Sequence, residues 1–345
     1  MKIKAAVLTQ LQTIKIQDYD AHDPGPDEVA VHPEYVGVCG SDVHFFEHGC
    51  IGSCKVTYPF ILGHECAGTV TAVGSNVTDL KVGDRVVIEP GIPCGTCDFC
   101  RHGRYNICRT VKFLSTPPYD GVLRESFNHP AAFTYKLPDN VSTLEGALIE
   151  PLSVGLYAAR RGEVRPGMKV AILGGGCIGL MTLLACKSAG ASRIVVSDLF
   201  ENRLETAKML GATGTFNPKT DGDNNAFRDK FTDGEGFDVV FETAGSKVTA
   251  NQTGYLMKRG GMIVMVGNII EEVPFSFRNM YLNEGEVRSV FRYTNTFPEA
   301  IEQIAAGRIN VKNIASDIFD FADIRSAFDK AMNEKAVIVK AIIRL

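Results

Sequence analysis

KVAILGGGCIGLM, residues 169–181, decides how the rest of the chain is read. An apolar run of strand length meets three consecutive glycines, and the text beyond them has the density of a buried helix. Gly174, Gly176 and Gly179 form G-x-G-x-x-G across that junction. The first glycine permits a tight turn, the second lets backbone approach a pyrophosphate, and the third allows close helix packing. The helix N-terminus favours the negative charge. Alone this motif is weak, but the next apolar run, RIVVSD, ends in Asp198, nineteen residues after Gly179. A carboxylate at that place accepts hydrogen bonds from an adenosine ribose and repels a 2′-phosphate, so NAD is expected over NADP. Arg203 reads two ways, as a residue lying across the adenine or ribose or as a solvated helix position.

Outward from this stretch, KVAILG, RIVVSD, FDVVFETAG and GGMIVMVG lie 20 to 45 residues apart, some with helical text between them. That spacing predicts βαβ units and a parallel sheet. One helix, ENRLETAKML, puts Leu204, Ala207 and Leu210 on one face and meets Gly211, a residue suited to a left-handed cap. Upstream, Glu28 to Val36, Gly68 to Val73 and Arg85 to Ile88 alternate between Pro/Gly-rich turns, which predicts an all-β unit. After about residue 288 the text becomes mixed and ends in AVIVKAIIRL, an apolar strand expected to return to the first domain. The chain is therefore divided into a domain of residues 1–152 with 289–345 and an inserted domain of 153–288, with a cleft between them.

A chain of 345 residues is long for a single core, which also favours two domains. Its 45% hydrophobic and 22% charged residues describe a globular protein, and a net charge of −4 offers no general attraction to nucleic acid or anionic membrane. The apolar part of MKIKAAVLTQLQTIKIQDYD is too short for a signal peptide. Val170 to Cys186 is uncharged over near-spanning length, but glycines in its middle argue for strand, turn and helix instead. Ten cysteines in this setting suggest a reducing, cytoplasmic compartment.

Cys94, Cys97, Cys100 and Cys108 give C-x2-C-x2-C-x7-C, four thiolates in one loop, enough to close a tetrahedral zinc site. Disulfides, a redox relay and an iron–sulfur cluster are the alternatives. Four thiolates leave no position for substrate, so chemistry must lie elsewhere. Cys39 in GVCGSDVH, His64 and Glu65 in ILGHECAG, and Glu150 in ALIEPLSVG are candidates of mixed S, N and O type. Taken singly, each also reads as a buried cysteine, a core histidine or a surface acid.

GHECAGTVTAVGSNV fits G-H-E-x2-G-x5-G at Gly63, His64, Glu65, Gly68 and Gly74, and CGSDVH, the four-cysteine loop and the dinucleotide fingerprint are arranged as in the zinc-containing medium-chain alcohol dehydrogenases. The chain resembles that family over essentially its whole length. GVCGSDVHFFEHG, RVVIEPG, YKLPDNVS, EGALIEPLSVG and VFRYTNTFPEAI are most similar to its sorbitol and xylitol dehydrogenase branch. The resemblance implies an α/β chain: a doubly wound Rossmann domain plus a mostly β, GroES-like catalytic domain. It implies two zinc ions, a catalytic one on Cys39, His64 and Glu65 and a structural one on the four-cysteine loop. Glu150 would be a further ligand or hold the water of the catalytic zinc. Ser41 and His44 would form a proton relay. Ile178 and Arg203 join the glycines and Asp198 in binding NAD, while Val266, Gly267, Asn268, Val290, Phe291 and Arg292 line its nicotinamide side. Arg292 and Tyr293 would reach substrate hydroxyls. Phe45 stands where mammalian sorbitol dehydrogenase has a tyrosine, and that enzyme lacks the four-cysteine loop, so substrate identity is not carried across.

The implied reaction is NAD-linked, zinc-dependent oxidation of a secondary alcohol of a polyol to a ketose by a homo-oligomer, dimer or tetramer. A sugar acid or phosphorylated polyol as substrate is the second reading, and a non-catalytic zinc and nucleotide redox sensor a third. Cys50, Cys54, Cys66, Cys177 and Cys186 are read as packing residues, although Cys50 and Cys54 fall near the substrate side in the family arrangement. His22, His32, His48, His102 and His129 carry no expected role.

Overall fold

The computed structural model describes residues 2–345. The chain separates into two compact units, residues 1–150, 297–307 and 314–345 in one, and 151–296 with 308–313 in the other.

The second unit holds the quoted stretch. Its six-stranded sheet runs in the order Gly214–Phe216, Arg193–Ser197, Lys169–Leu173, Phe237–Glu242, Met257–Met265, Glu286–Ser289, with every pairing parallel. The sheet grows outward in both directions from Lys169–Leu173, which puts the topological switch at the turn after that strand. Val170, Ala171, Ile172 and Leu173 are all buried, as continuous apolar strands covered on both faces must be. The helix Glu201–Leu210 buries Leu204, Ala207 and Leu210 and ends at Gly211, φ 104°, as its sequence predicts. On the other side of the core Phe216 and Phe227 stack with centroids 4.4 Å apart.

Two boundaries differ from expectation. Residues 289–296 pack with the second unit rather than the first, because the strand Glu286–Ser289 joins its sheet and the Val290 N–H continues the ladder to the Met265 carbonyl. The second unit also begins at 151 and takes back residues 308–313.

In the first unit the main sheet has seven strands. Glu28–Gly37 is its centre, antiparallel to Glu65–Val73 on one side and to Ala341–Arg344 on the other. The expected return of the tail is therefore observed, although only Ala341–Arg344 of AVIVKAIIRL is strand. Val337 and Ile338 instead donate their N–H groups to Glu334 at the end of the helix Ile324–Asn333. The unit is also not all-β. CGSDVHFFEH forms the helix Gly40–His48, because the Asp42 carboxylate accepts the Cys39 N–H at 3.1 Å and Gly49, φ 69°, ends it. Phe45 and Phe46 of that helix enter a core with Leu62, Ile88 and Phe328. Among the described residues no helix is long and apolar enough to cross a membrane.

Candidate functional site

The helix Gly40–His48 and the strand Glu65–Val73 bring one donor atom each from Cys39, His64 and Glu65 within 4.8 Å of one another. Cys39 is half-buried at the helix start, while His64 and Glu65 are buried. Their sulfur, nitrogen and oxygen fit the mixed donor set of a catalytic zinc. His64 is aimed by a residue that sequence reasoning missed. Asp42 is fully buried, and its Oδ1 lies 3.4 Å from His64 Nδ1 while accepting from Ser115 Oγ at 2.6 Å and the Gly63 N–H at 3.2 Å. Such a carboxylate behind the ring is what orients a metal-binding histidine and leaves Nε2 for the ion. Burial alone would depress the His64 pKa, but Asp42 and Cys39 outweigh it and hold it well above the ordinary value. The pocket therefore favours positive charge, which a cation would supply. The signal for Asp42 was its place in the helix's first turn, three residues after Cys39.

Lys340 was also missed. It is buried and donates to Glu65 Oε1 at 2.5 Å across 275 positions of sequence, a distance at which no local pattern could reveal it. Glu150 occupies the first turn of the helix Ile149–Arg161, is 5% exposed, and is not one of the three clustered donors. Ser41 and His44 lie three apart on the helix Gly40–His48, hence on one face. Burial holds His44 below the usual histidine pKa, aided by its neighbour His48, 5.2 Å away. Phe45 is 2% exposed and belongs to the core.

Cys94, Cys97, Cys100 and Cys108 form a second group of donors within 4.8 Å. The Cys97–Cys100 and Cys94–Cys100 sulfurs stand 3.4 and 3.9 Å apart, close to the edge of about 3.8 Å that a tetrahedron with ordinary Zn–S bonds requires. Backbone N–H groups of Cys97 and Cys94 point at the sulfurs of Cys94 and Cys108. Thr96, through its N–H and hydroxyl, and the Cys97 N–H push the Cys94 thiol down to about 5, so a thiolate is ready for a cation.

In the second unit the dinucleotide turn is built as its sequence predicts. Gly174 has φ 109°, and a Cβ at Gly179 would sit 1.8 Å from the Gly174 carbonyl oxygen. The helix Cys177–Ser188 starts on this turn, with Ile178 in its first turn. Asp198 Oδ2 accepts the Gly175 N–H at 2.7 Å, Oδ1 accepts the Phe200 N–H at 2.9 Å, and Arg203 lies 3.5 Å away. Arg203 also lies over the Phe200 ring.

Glu242, missed in the sequence, ties this turn to the next segments. Its fully buried Oε1 accepts from Ala244, Gly245 and the Thr249 hydroxyl, and its carbonyl accepts from Val266 and Gly267. Burial raises its pKa. Gly267 packs so close to Gly245 that a Cβ would meet its nitrogen at 2.3 Å. Val266, Gly267 and Asn268 follow one strand end and Val290, Phe291 and Arg292 the neighbouring one, so the structure brings both segments to the sheet edge that carries the glycine turn. Arg292, φ 56°, stacks its guanidinium on Phe291 at 4.8 Å, and Tyr293 is buried.

Comparison with known proteins agrees with this architecture. Residues 25–139 match the alcohol dehydrogenase GroES-like domain and residues 177–306 the zinc-binding dehydrogenase domain. The chain is 48% identical to the uncharacterized zinc-type alcohol dehydrogenase-like protein YdjJ of Escherichia coli K12, covering 100% of this chain and 99% of that one. It is 40% identical to the sorbitol dehydrogenase of Bacillus subtilis, covering 99% and 97%. A crystal structure of an Escherichia coli oxidoreductase/dehydrogenase of unknown specificity, involved in membrane biogenesis, superposes with a TM-score of 0.96 at 48% identity over 100% and 99% of the two chains. With both domain matches and full-length relatives, the chain belongs to the zinc-containing medium-chain alcohol dehydrogenase family, in its polyol branch.

Proposed function

We propose that this chain is a zinc-dependent, NAD-linked polyol 2-dehydrogenase that oxidises a secondary alcohol of a sorbitol- or xylitol-like substrate to a ketose. The observation that carries the reading is the donor set of half-buried Cys39 and buried His64 and Glu65 in a chain of the polyol branch. When bound, zinc supplies Lewis-acid polarisation of a hydroxyl and the nicotinamide supplies a hydride acceptor. Cys39, His64 and Glu65 hold the metal, and Asp42 keeps the histidine ring aimed. Glu150, outside the three-donor cluster, holds the water or hydroxyl beside them. Ser41 and His44 pass the proton outward, and the lowered pKa of His44 keeps its ring neutral and able to accept. Arg292 and Tyr293 orient substrate hydroxyls, while Phe45 offers no hydrogen bond.

The glycine turn takes the pyrophosphate, and Asp198, already fixed by two N–H groups, takes the ribose and disfavours a 2′-phosphate. The four thiols hold a second, structural zinc, making two per chain. Both thiol-bearing clusters need reduced cysteine, which supports a cytoplasmic setting. A homo-oligomer, dimer or tetramer, is supported by the strand Glu286–Ser289, an edge of the parallel sheet with Val287 exposed and exposed Phe277 and Tyr281 nearby in sequence.

A screen of the zinc-loaded protein for NADH formation with sorbitol, xylitol, galactitol and several aldonates tests the reading. Turnover of at least one polyol is expected; turnover of aldonates alone moves the assignment to sugar acids, and silence with every substrate removes it. Replacing Asp198 by Ala should narrow the NAD over NADP preference in kcat/KM by about tenfold, the worth of one charged hydrogen bond. An unchanged ratio would mean that another residue selects the cofactor.

A further inference from the structure

Glu65 reaches its position through a gap in the sheet. In register, Gly37 of the central strand stands opposite Glu65, and Ile342 of the next strand stands opposite Gly37. A Cβ on Gly37 would lie 2.0 Å from Glu65 Oε2 and 3.1 Å from Glu65 Cβ. The side chain that Gly37 lacks is thus the space the carboxylate occupies. There it meets Lys340, two residues before Ile342, whose Nζ donates to Oε1 at 2.5 Å and also faces Oε2. Lysine and glutamate are 4% and 0% exposed, so each charge depends on the other for the solvation it has lost. The same carboxylate is the third donor beside Cys39 and His64. One anion therefore has two cationic claimants, an ammonium fixed in the fold and a metal that comes and goes.

We infer that Lys340 is a positioning residue that sets how tightly the metal is held, acting through Glu65; this rests on reading Cys39, His64 and Glu65 as metal ligands. In the metal-free protein Lys340 pairs with the buried carboxylate and holds it in place. In the loaded protein it shares that carboxylate with a dication and repels it. A neutral residue at 340 removes the counter-charge from the metal-free state, whereas the loaded state still pairs Glu65 with the metal. The free-energy gap between the two states widens, and by linkage the metal is held more tightly. Lys340 makes the site exchangeable, and Gly37 makes the arrangement sterically possible.

Cobalt(II) tests this, because its visible bands at a mixed S, N, O site differ from those at a four-thiolate site. The full-length chain, Lys340→Met and Lys340→Arg are loaded with cobalt and titrated with a competing chelator. Lys340→Met should retain cobalt at the mixed-donor site about tenfold more tightly than the parent, its metal-free form should melt at lower temperature, and Lys340→Arg should match the parent. Equal or easier release from Lys340→Met, or an arginine variant that behaves like the methionine one, overturns the proposal. Should Lys340→Met fail to fold without metal, Lys340→Gln serves, since its amide can still donate one hydrogen bond to the carboxylate while carrying no charge. Tighter retention than the parent at the mixed-donor site alone is expected, and parental or weaker retention would overturn the proposal. If Cys39→Ala leaves the mixed-donor bands intact, the ligand assignment itself fails, whatever the Lys340 variants do.

Discussion

The four-thiol cluster draws its donors from fifteen consecutive residues, Cys94 to Cys108, and leaves Cys94 exposed. The Cys39, His64 and Glu65 cluster draws on a helix start and a strand start twenty-five residues apart, and it lies largely buried. The first can assemble from one loop; the second exists only once the sheet is in register. On the proposed two-zinc reading, a loop whose elements are a four-residue helix and a three-residue 3-10 turn would gain its order from its ligand, and that metal would serve stability. A site made by the sheet is ordered beforehand and can devote its metal to chemistry.

The largest effect should separate the two clusters by activity. Cys39→Ala or His64→Ala should lower turnover by about a thousandfold or more, the several kcal/mol that Lewis-acid assistance supplies, with far-UV circular dichroism unchanged. Retained turnover in either variant would place the chemistry elsewhere. Cys108→Ser should do the reverse, lowering the thermal midpoint by several degrees while the rate of hydride transfer per folded chain stays within about twofold. An intact, stable Cys108 variant with a selectively slowed hydride step would erase the distinction between the clusters.

The smallest effect concerns how the four-thiol loop is fastened to its sheet. Tyr105, three residues before Cys108, donates to Glu89 Oε1 at 2.7 Å, Tyr135 donates to Oε2 at 2.9 Å, and His129 Nε2 meets the Glu89 carbonyl at 3.0 Å. Burial pushes the His129 pKa down to about 4, whereas an unfolded histidine titrates near 6.5. As pH falls the unfolded chain therefore takes up the proton first. The contribution is whole above about 6.5 and is lost on the way to about 4, amounting to about 2 kcal/mol between pH 7 and pH 5. In denaturant titrations His129→Gln should lose less stability than the parent over that interval. Parallel curves would show that His129 titrates alike in the folded and unfolded states, and that the acid sensitivity lies in other groups.

What was legible in the sequence follows the same division. The dinucleotide turn could be read because its glycines answer constraints a few residues long, seen at Gly174 and Gly179, and because Asp198 closes the next strand. The helix Glu201–Leu210 was legible through its period and its cap. Asp42, Lys340 and Glu242 were not, since what gives each its role is a partner brought by tertiary structure: His64 and Ser115 for Asp42, Glu65 for Lys340, the Val266–Gly267 backbone for Glu242. The segment 289–296 was misassigned because a short edge strand, Glu286–Ser289, carries polar and apolar residues in no distinctive pattern. The helix Gly40–His48 was hidden among strands because a single carboxylate on the Cys39 N–H decides it.

The central strand Glu28–Gly37 is flanked by Glu65–Val73 and by Ala341–Arg344, and that second neighbour has a consequence for synthesis. A ribosome adding about 5–20 residues per second needs roughly a quarter of a minute to a minute to travel from the first of those neighbours to the second. All six strands of the parallel sheet emerge during that wait, between residues 169 and 289. Throughout it the Tyr35–Gly37 end of the central strand has an open edge, its Glu28–Val31 end being covered by Phe127–Pro130, and Glu65 lacks Lys340. A nascent chain broken off before residue 340 would carry Cys39, His64 and Glu65 and still have an incomplete sheet around them. The site therefore takes the form described above only in chains translated through Ala341–Arg344.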